Sequence, residues 1–321
     1  MISTSAAEAA PPTLRPDQVD VRTDLGPLVL ANPIVTASGC FGSGREIDRF
    51  FDIARLGAVV VKSLTLEARP GLPTPRMTET PSGMLNAIGL QNPGVERWLE
   101  QDLPWLQRRG VPVIVSIAGR TAGEFRQVAE MLVGVPGIIA IEANISCPNV
   151  EDRNIVFACR EDTTREAIAQ VTRHATVPVF AKLTPDVTDI VSIANTARLA
   201  GAAGVSVINT LLGMAIDVET RRPRLGGVTG GLSGPAIKPV AIRAVHQIHL
   251  AMPDLPIIGM GGARTVEDVI EFVLAGASAV AIGTATFTNP EATLDLVEAL
   301  PKWLAARGIA RVVDLRGAVR L

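Results

Sequence analysis

The sequence predicts an α/β protein built as a single (β/α)8 TIM barrel, with a short N-terminal hairpin and long loops at the C-terminal face. Three observations carry that expectation. Eight short aliphatic runs alternate with helical patterns. The composition is 47% hydrophobic but only 3% aromatic, with 29 Gly and 23 Pro, which suits an aliphatic core interrupted by many tight turns. A length of 321 residues accommodates one large barrel, and no inter-domain linker interrupts it.

In chain order, residues 1–18 are rich in Ala, Ser and Pro and read as a flexible tail. They have neither the apolar core of a secretory signal nor the Arg density of a transit peptide. The barrel domain is expected over 19–321, opening with a hairpin at 19–30 that plugs the barrel bottom. Strands are expected at 34–36, 58–61, 113–117, 139–143, 179–183, 204–208, 256–259 and 280–283. Helices are expected at 45–54, 95–107, 123–133, 164–174, 190–200, 238–250, 266–275 and 291–305. Thr265 and Asp268 form a capping-box pattern, and Asn289-Pro290 reads as an N-cap followed by proline at the first helical position. The segments 63–93 and 209–235 are too long for simple connections. As loops after strands two and six they belong on the C-terminal face, where barrel enzymes build their sites.

Several function classes are excluded. A net charge of −2 gives no footprint for nucleic acid. No apolar segment reaches the roughly 18 residues that span a bilayer, so no membrane association is expected and the chain reads as cytoplasmic. Three cysteines, at 40, 147 and 159, make no disulfide framework and are too few for an iron–sulfur cluster. No metal-ligand set is evident. There is no tyrosine, and His174, His246 and His249 all fall in helical patterns or at helix ends. Cys147 is then the best remaining group for proton transfer near neutral pH. It lies in Asn144-Ile145-Ser146-Cys147-Pro148-Asn149, which closes a buried apolar run. A strand-end loop of this kind can face a small polar ligand, with the ionised thiol as base or nucleophile. The same thiol also suits an inert, buried packing role.

Polar residues and glycines gather at the other strand ends: Ala37, Ser38 and Gly39; Lys62 and Ser63; Ser116; Lys182; Asn209 and Thr210; Gly261 and Gly262; Gly283 and Thr284. Lysines at two strand ends call for an anionic partner. Glycine turns after strands seven and eight offer backbone N–H groups to a phosphate. Neither glycine cluster is a dinucleotide fingerprint, because Arg264 and Ile47 stand where the third glycine would be.

Three runs together resemble the class 1 dihydroorotate dehydrogenases: Asn144 to Asn149, Met84 to Gly94, and Gly230-Gly231-Leu232-Ser233-Gly234-Pro235 continuing to Pro239. The resemblance extends from about Val19 to the last barrel helix. Cysteine at 147 is similar to class 1 rather than to the membrane-associated class 2, and Thr220-Arg221-Arg222-Pro223 with the glycine run resembles subclass 1B. The resemblance implies an FMN enzyme that oxidises (S)-dihydroorotate to orotate in de novo pyrimidine biosynthesis. Cys147 would take the C5 proton while C6 delivers hydride to the flavin. Lys62, Asn86, Ala87, Ile88, Gly89, Leu90, Asn144, Asn149, Asn209 and Thr210 would hold the substrate. Ala37, Ser38, Gly39, Lys62, Ser63, Ser116, Asn144, Lys182, Ile208, Gly234, Gly261, Gly262, Gly283 and Thr284 would hold FMN. Ser116 departs from the family's usual asparagine, and Cys40 from its usual threonine; Cys40 and Cys159 read as packing residues, and Arg153 as a solvated loop charge. The implied assembly is a homodimer of this chain with two copies of a second subunit carrying FAD and a [2Fe–2S] cluster, passing electrons to NAD+. The alternatives are a class 1A-like homodimer using fumarate, a flavin barrel reducing another pyrimidine, and a non-catalytic barrel that binds a phosphorylated metabolite.

Overall fold

Alternation along each short apolar run divides its side chains between two environments. Ile34, Val59, Val113, Val115 and Val179 pack with the surrounding helices. Val35, Val60, Ile114, Ala140, Phe180 and Ile258 form a second cluster inside the barrel. Strands buried on both faces in this way are apolar nearly throughout. The computed structural model describes residues 14–146 and 156–320. Its eight barrel strands are β1 (Ile34–Thr36), β2 (Val59–Val60), β3 (Val113–Ile117), β4 (Ile138–Asn144), β5 (Val179–Lys182), β6 (Gly204–Val207), β7 (Ile257–Met260) and β8 (Ala279–Ile282). From β2 to β8 each pairs in parallel with the next, and β8 returns to β1.

The seam between β1 and β2 closes the barrel with little backbone pairing. A single bridge joins Val35 to Ala58. The Thr36 hydroxyl completes the seam, donating to the Val60 carbonyl at 3.1 Å and accepting from the Val60 N–H at 2.8 Å. The expected hairpin is present as paired strands Thr23–Leu25 and Leu28–Leu30, and its Leu25 and Leu30 join the interior cluster. Nearer the chain start, Pro16–Gln18 form a 3-10 turn, and the Leu14 N–H reaches the Ala305 carbonyl. Residues 1–13 of the expected tail lie outside the described residues.

The helices are α1 (Val95–Gln101), α2 (Leu103–Arg108), α3 (Ala122–Met131), α4 (Glu161–Thr172), α5 (Ile190–Leu199), α6 (Lys238–Ala251), α7 (Val266–Ala275), α8 (Ala285–Thr288) and α9 (Ala292–Ala305). Three depart from expectation. The helix expected over 45–54 is two 3-10 turns, Ile47–Arg49 and Ile53–Arg55, because the Asp52 carboxylate caps Ala54 and restarts the chain. The helix expected over 95–107 breaks at Asp102, since Pro104 has no N–H to continue the ladder. The last helix begins at Ala292 rather than after Asn289, whose side chain instead accepts from the Glu291 N–H at 3.1 Å. The capping box forms as expected, with the Asp268 N–H on the Thr265 hydroxyl and the Thr265 N–H on the Asp268 carboxylate.

The two long segments at the C-terminal rim contain an antiparallel sheet of their own. Met77–Thr80, Gly83–Asn86, Gly230–Ser233 and Leu211–Gly213 pair side by side across the barrel mouth. Their glycines make the pairing possible. A Cβ on Gly83 would lie 1.9 Å from the Ser233 carbonyl oxygen, and one on Gly231 would lie 2.0 Å from the Thr210 hydroxyl. Among the described residues no helix is long and apolar enough to cross a membrane.

The seam gives a stability prediction. Thr36→Val should leave both backbone groups of Val60 without their partner and cost about 2 kcal/mol. Urea unfolding should show a lower midpoint, and an unchanged midpoint would mean that the seam does not depend on this hydroxyl.

Candidate active site

The same alternation that fills the barrel with aliphatic side chains places polar ones above them. Ser116 on β3, Glu142 on β4 and Lys182 on β5 each stand two residues after an interior residue, namely Ile114, Ala140 and Phe180. All three are buried. The Glu142 Oε1 accepts from the Lys182 ammonium at 3.3 Å and from the Ser116 hydroxyl at 3.0 Å. The anionic partner that a buried lysine requires is therefore Glu142. It escaped the sequence reading, although an acid inside the apolar run 138–143 was its signal.

Above this layer the barrel opens into a cavity of about 1250 Å³. Such a volume exceeds the usual range of about 300–1000 Å³ for a single small ligand. Ala37, Ser38 and Gly39 line it after β1, Lys62 and Ser63 after β2, and Asn144 at the end of β4. Lys182 lines it from β5, with Ile208, Asn209 and Thr210 after β6. Gly261 and Gly262 follow β7, Gly283 and Thr284 follow β8, and the rim sheet contributes Asn86, Ile88, Gly89, Leu90 and Gly234. Ala87 and Ser116 do not line the cavity. Ala87 is buried beneath the rim, and Ser116 sits behind Ser63, with the two hydroxyls 2.9 Å apart. Cys147 and Asn149 lie outside the described residues, as does Arg153.

The polar wall is hydrogen-bonded throughout. The Asn144 amide donates to the Ser63 hydroxyl at 3.0 Å, and Ser38 meets Ser63 at 3.1 Å. The Ser146 hydroxyl donates to the Asn144 Oδ1 at 3.1 Å, and the Asn209 amide donates to the Ser146 hydroxyl at 2.9 Å. Asn209 in turn accepts from the Thr210 N–H at 2.7 Å. Cys40, also in the lining, has its thiol pushed up by burial, with Lys182 and Lys62 pulling the other way.

The glycine turns at the far end permit close approach. Gly261 and Gly262 have φ of +129° and +83°. A Cβ on Gly262 would lie 2.7 Å from the Gly234 carbonyl oxygen, and one on Gly283 would lie 3.3 Å from the Cys40 sulfur. Among the described residues, no backbone carbonyl accepts from the N–H of Gly262, Ala263 or Thr284. Lys238 beside them is committed to Asp268 and Glu271, both at 2.6 Å, and these partners raise its pKa. Arg264 and Ser233 also line the cavity, and Ser233 accepts from the Thr284 hydroxyl at 2.8 Å. Neither was singled out as a site residue, although each adjoins a glycine turn that was.

Asn92 holds the rim segment in place. Its Oδ1 accepts from the N–H of Thr65 and of Gly94, and its amide donates to the Thr65 hydroxyl and the Leu90 carbonyl. Leu90 has a φ of +56°, a left-handed conformation costly for a branched side chain.

The chain as a whole is similar to known proteins. The family model described as Dihydroorotate dehydrogenase matches residues 21–304. A relative from Desulforudis audaxviator is 53% identical over 291 residues, covering 91% of this chain and 94% of its own length. One from Geobacillus kaustophilus is 51% identical over 294 residues, with 92% and 94% covered. One from Listeria monocytogenes is 51% identical over 289 residues, with 90% and 95% covered. All three are named Dihydroorotate dehydrogenase B (NAD(+)), catalytic subunit.

Asn92→Ala should release the strained Leu90 segment and strand two backbone N–H groups, at a cost of about 3 kcal/mol. Hydrogen exchange should then speed up across 86–94 more than in the barrel strands. Uniform exchange across both regions would remove Asn92 from this role.

Proposed function

The chain belongs to the dihydroorotate dehydrogenase family, and we propose that it is the catalytic subunit of a subclass 1B enzyme. In this reading it oxidises (S)-dihydroorotate to orotate in de novo pyrimidine biosynthesis and passes electrons to NAD+ through a partner subunit. The observation that carries the reading is one cavity that gathers three lysines, three asparagines and paired glycine turns at the barrel mouth.

The residues present fit FMN. Gly261, Gly262 and Gly283 carry no Cβ to obstruct a phosphate, and the backbone N–H groups of Gly262, Ala263 and Thr284 suit an anion. Lys182 offers a cation from the barrel floor, while Ser38, Ser63 and Asn144 offer hydrogen-bonding groups along one wall. When bound, FMN supplies the two-electron acceptor for the hydride that leaves C6 of the substrate.

The chain's own residues do the rest. Asn86, Asn144, Asn209 and Thr210 suit the imide edges of a pyrimidine, and Lys62 suits its carboxylate. Asn149 belongs to the same substrate set. The segment 87–90 covers the substrate from the rim. Cys147, as thiolate, takes the proton from C5, and the orphaned proton then leaves to solvent. Residues 19–321 form the catalytic barrel and 1–18 precede it. The FAD and the [2Fe–2S] cluster belong to the partner, and two copies of each subunit make up a cytoplasmic assembly. Leu212, Met214, Ile216 and Val218 stand exposed in alternation at the rim, an apolar row that supports burial against another subunit.

Cys147→Ala should keep FMN yet lose dihydroorotate oxidation by a factor of roughly 10² or more. The wild-type rate should rise with pH as the thiol ionises, and the variant should lose that rise. Single-turnover flavin reduction near the wild-type rate in the variant would remove Cys147 from the mechanism.

The isolated chain should reduce soluble dyes but turn over poorly with NAD+, until an iron–sulfur flavoprotein subunit is added. Efficient NAD+ reduction by this chain alone would refute the subclass, and brisk turnover with fumarate would favour subclass 1A.

A further inference from the structure

The barrel interior holds a carboxylate that the reaction above does not use. Glu142 is fully buried and does not line the cavity. Its Oε1 takes both Lys182 and Ser116, while its Oε2 has no partner among the described residues. One layer below, the same strands fill the interior with Ile114 and Ala140. Packing alone could be met by such side chains, and burying an anion is costly unless its charge is used. Lys182 connects the two regions, because its ammonium meets Glu142 and the residue lines the cavity.

We infer that Glu142 is a positioning and charge-balancing residue for Lys182, and that its negative charge lowers the reduction potential of the flavin above it. The inference rests on the reading that this cavity holds FMN with Lys182 beside the reducible ring. A lone ammonium would favour the negative charge that arrives on reduction. A carboxylate 3.3 Å from that ammonium makes the pair a dipole and cancels much of its field at ring distance.

The test is the flavin potential of the purified FMN-loaded protein, read against a dye of known potential. Glu142→Gln keeps the shape and an oxygen for Lys182 while removing the charge. Reduced FMN should then gain about tenfold in binding relative to oxidised FMN, which is a rise of about 30 mV for a two-electron couple. Glu142→Asp, which retains the charge, should stay nearer the wild type. Ser116→Ala removes one donor from the carboxylate and should shift the potential downward, which covers the case in which Glu142→Gln fails to fold. A merely structural Glu142 would weaken both flavin states equally and leave the potential where it was. An unchanged or lowered potential in Glu142→Gln overturns the inference; where that variant does not fold, so does an unchanged or raised potential in Ser116→Ala. Wild-type protein that takes up no FMN overturns the cofactor reading as well, so the two failures are distinguishable.

Discussion

The buried pair of Lys182 and Glu142 is the interaction on which the architecture of the site depends. Each group alone would be intolerable inside an aliphatic barrel, and losing one partner of such a pair costs about 3–5 kcal/mol. Together, with the Ser116 hydroxyl on the same oxygen, they let a cation reach the cavity floor from within the barrel. The polar layer then has to sit where it does. Below it the interior is closed by Phe180, Ile258 and the hairpin leucines, and above it every strand but β3 ends in a group that faces the cavity.

The barrel mouth combines a rigid wall with a held-down rim. The wall is a set of strand ends whose positions the parallel ladder fixes. The rim is chain that packs only because glycines let its strands approach and because Asn92 satisfies four hydrogen bonds at once. Positive φ at Leu90 is tolerated there because both flanks are tied. Stiffness in the wall and dependence on a few side chains at the rim are what a site needs if one ligand stays and another must come and go.

The barrel was legible because period-two alternation leaves a double record, one face in each cluster, and the strand-end residues followed from it. The elements read less well were those where one side chain overrides a pattern. Asp52 cut a helix short, Pro104 split another, and Asn289 turned the chain before α9 could start. The rim sheet was hidden because glycine signals loops in general, whereas Gly83 and Gly231 serve close strand contact. Glu142 is harder to read because it lies within a strand, not at the polar strand end that marks the other site residues. Ser116 does not line the cavity and bonds to Glu142 behind the wall.

The hydroxyls along the wall have a fixed polarity. A carboxylate at Glu142 can only accept, so the single proton of Ser116 is spent on it. Ser63 must then give its own proton to Ser116, and it accepts from the Asn144 amide. Ser38, 3.1 Å from Ser63, has no course left but to donate to it. The chain of hydroxyls thus runs one way, from cavity to carboxylate, like a row of arrows sharing a single target. What Ser38 turns toward the cavity is lone pairs alone, so a buried charge two side chains behind the wall dictates that a ligand atom resting on Ser38 must bring its own hydrogen.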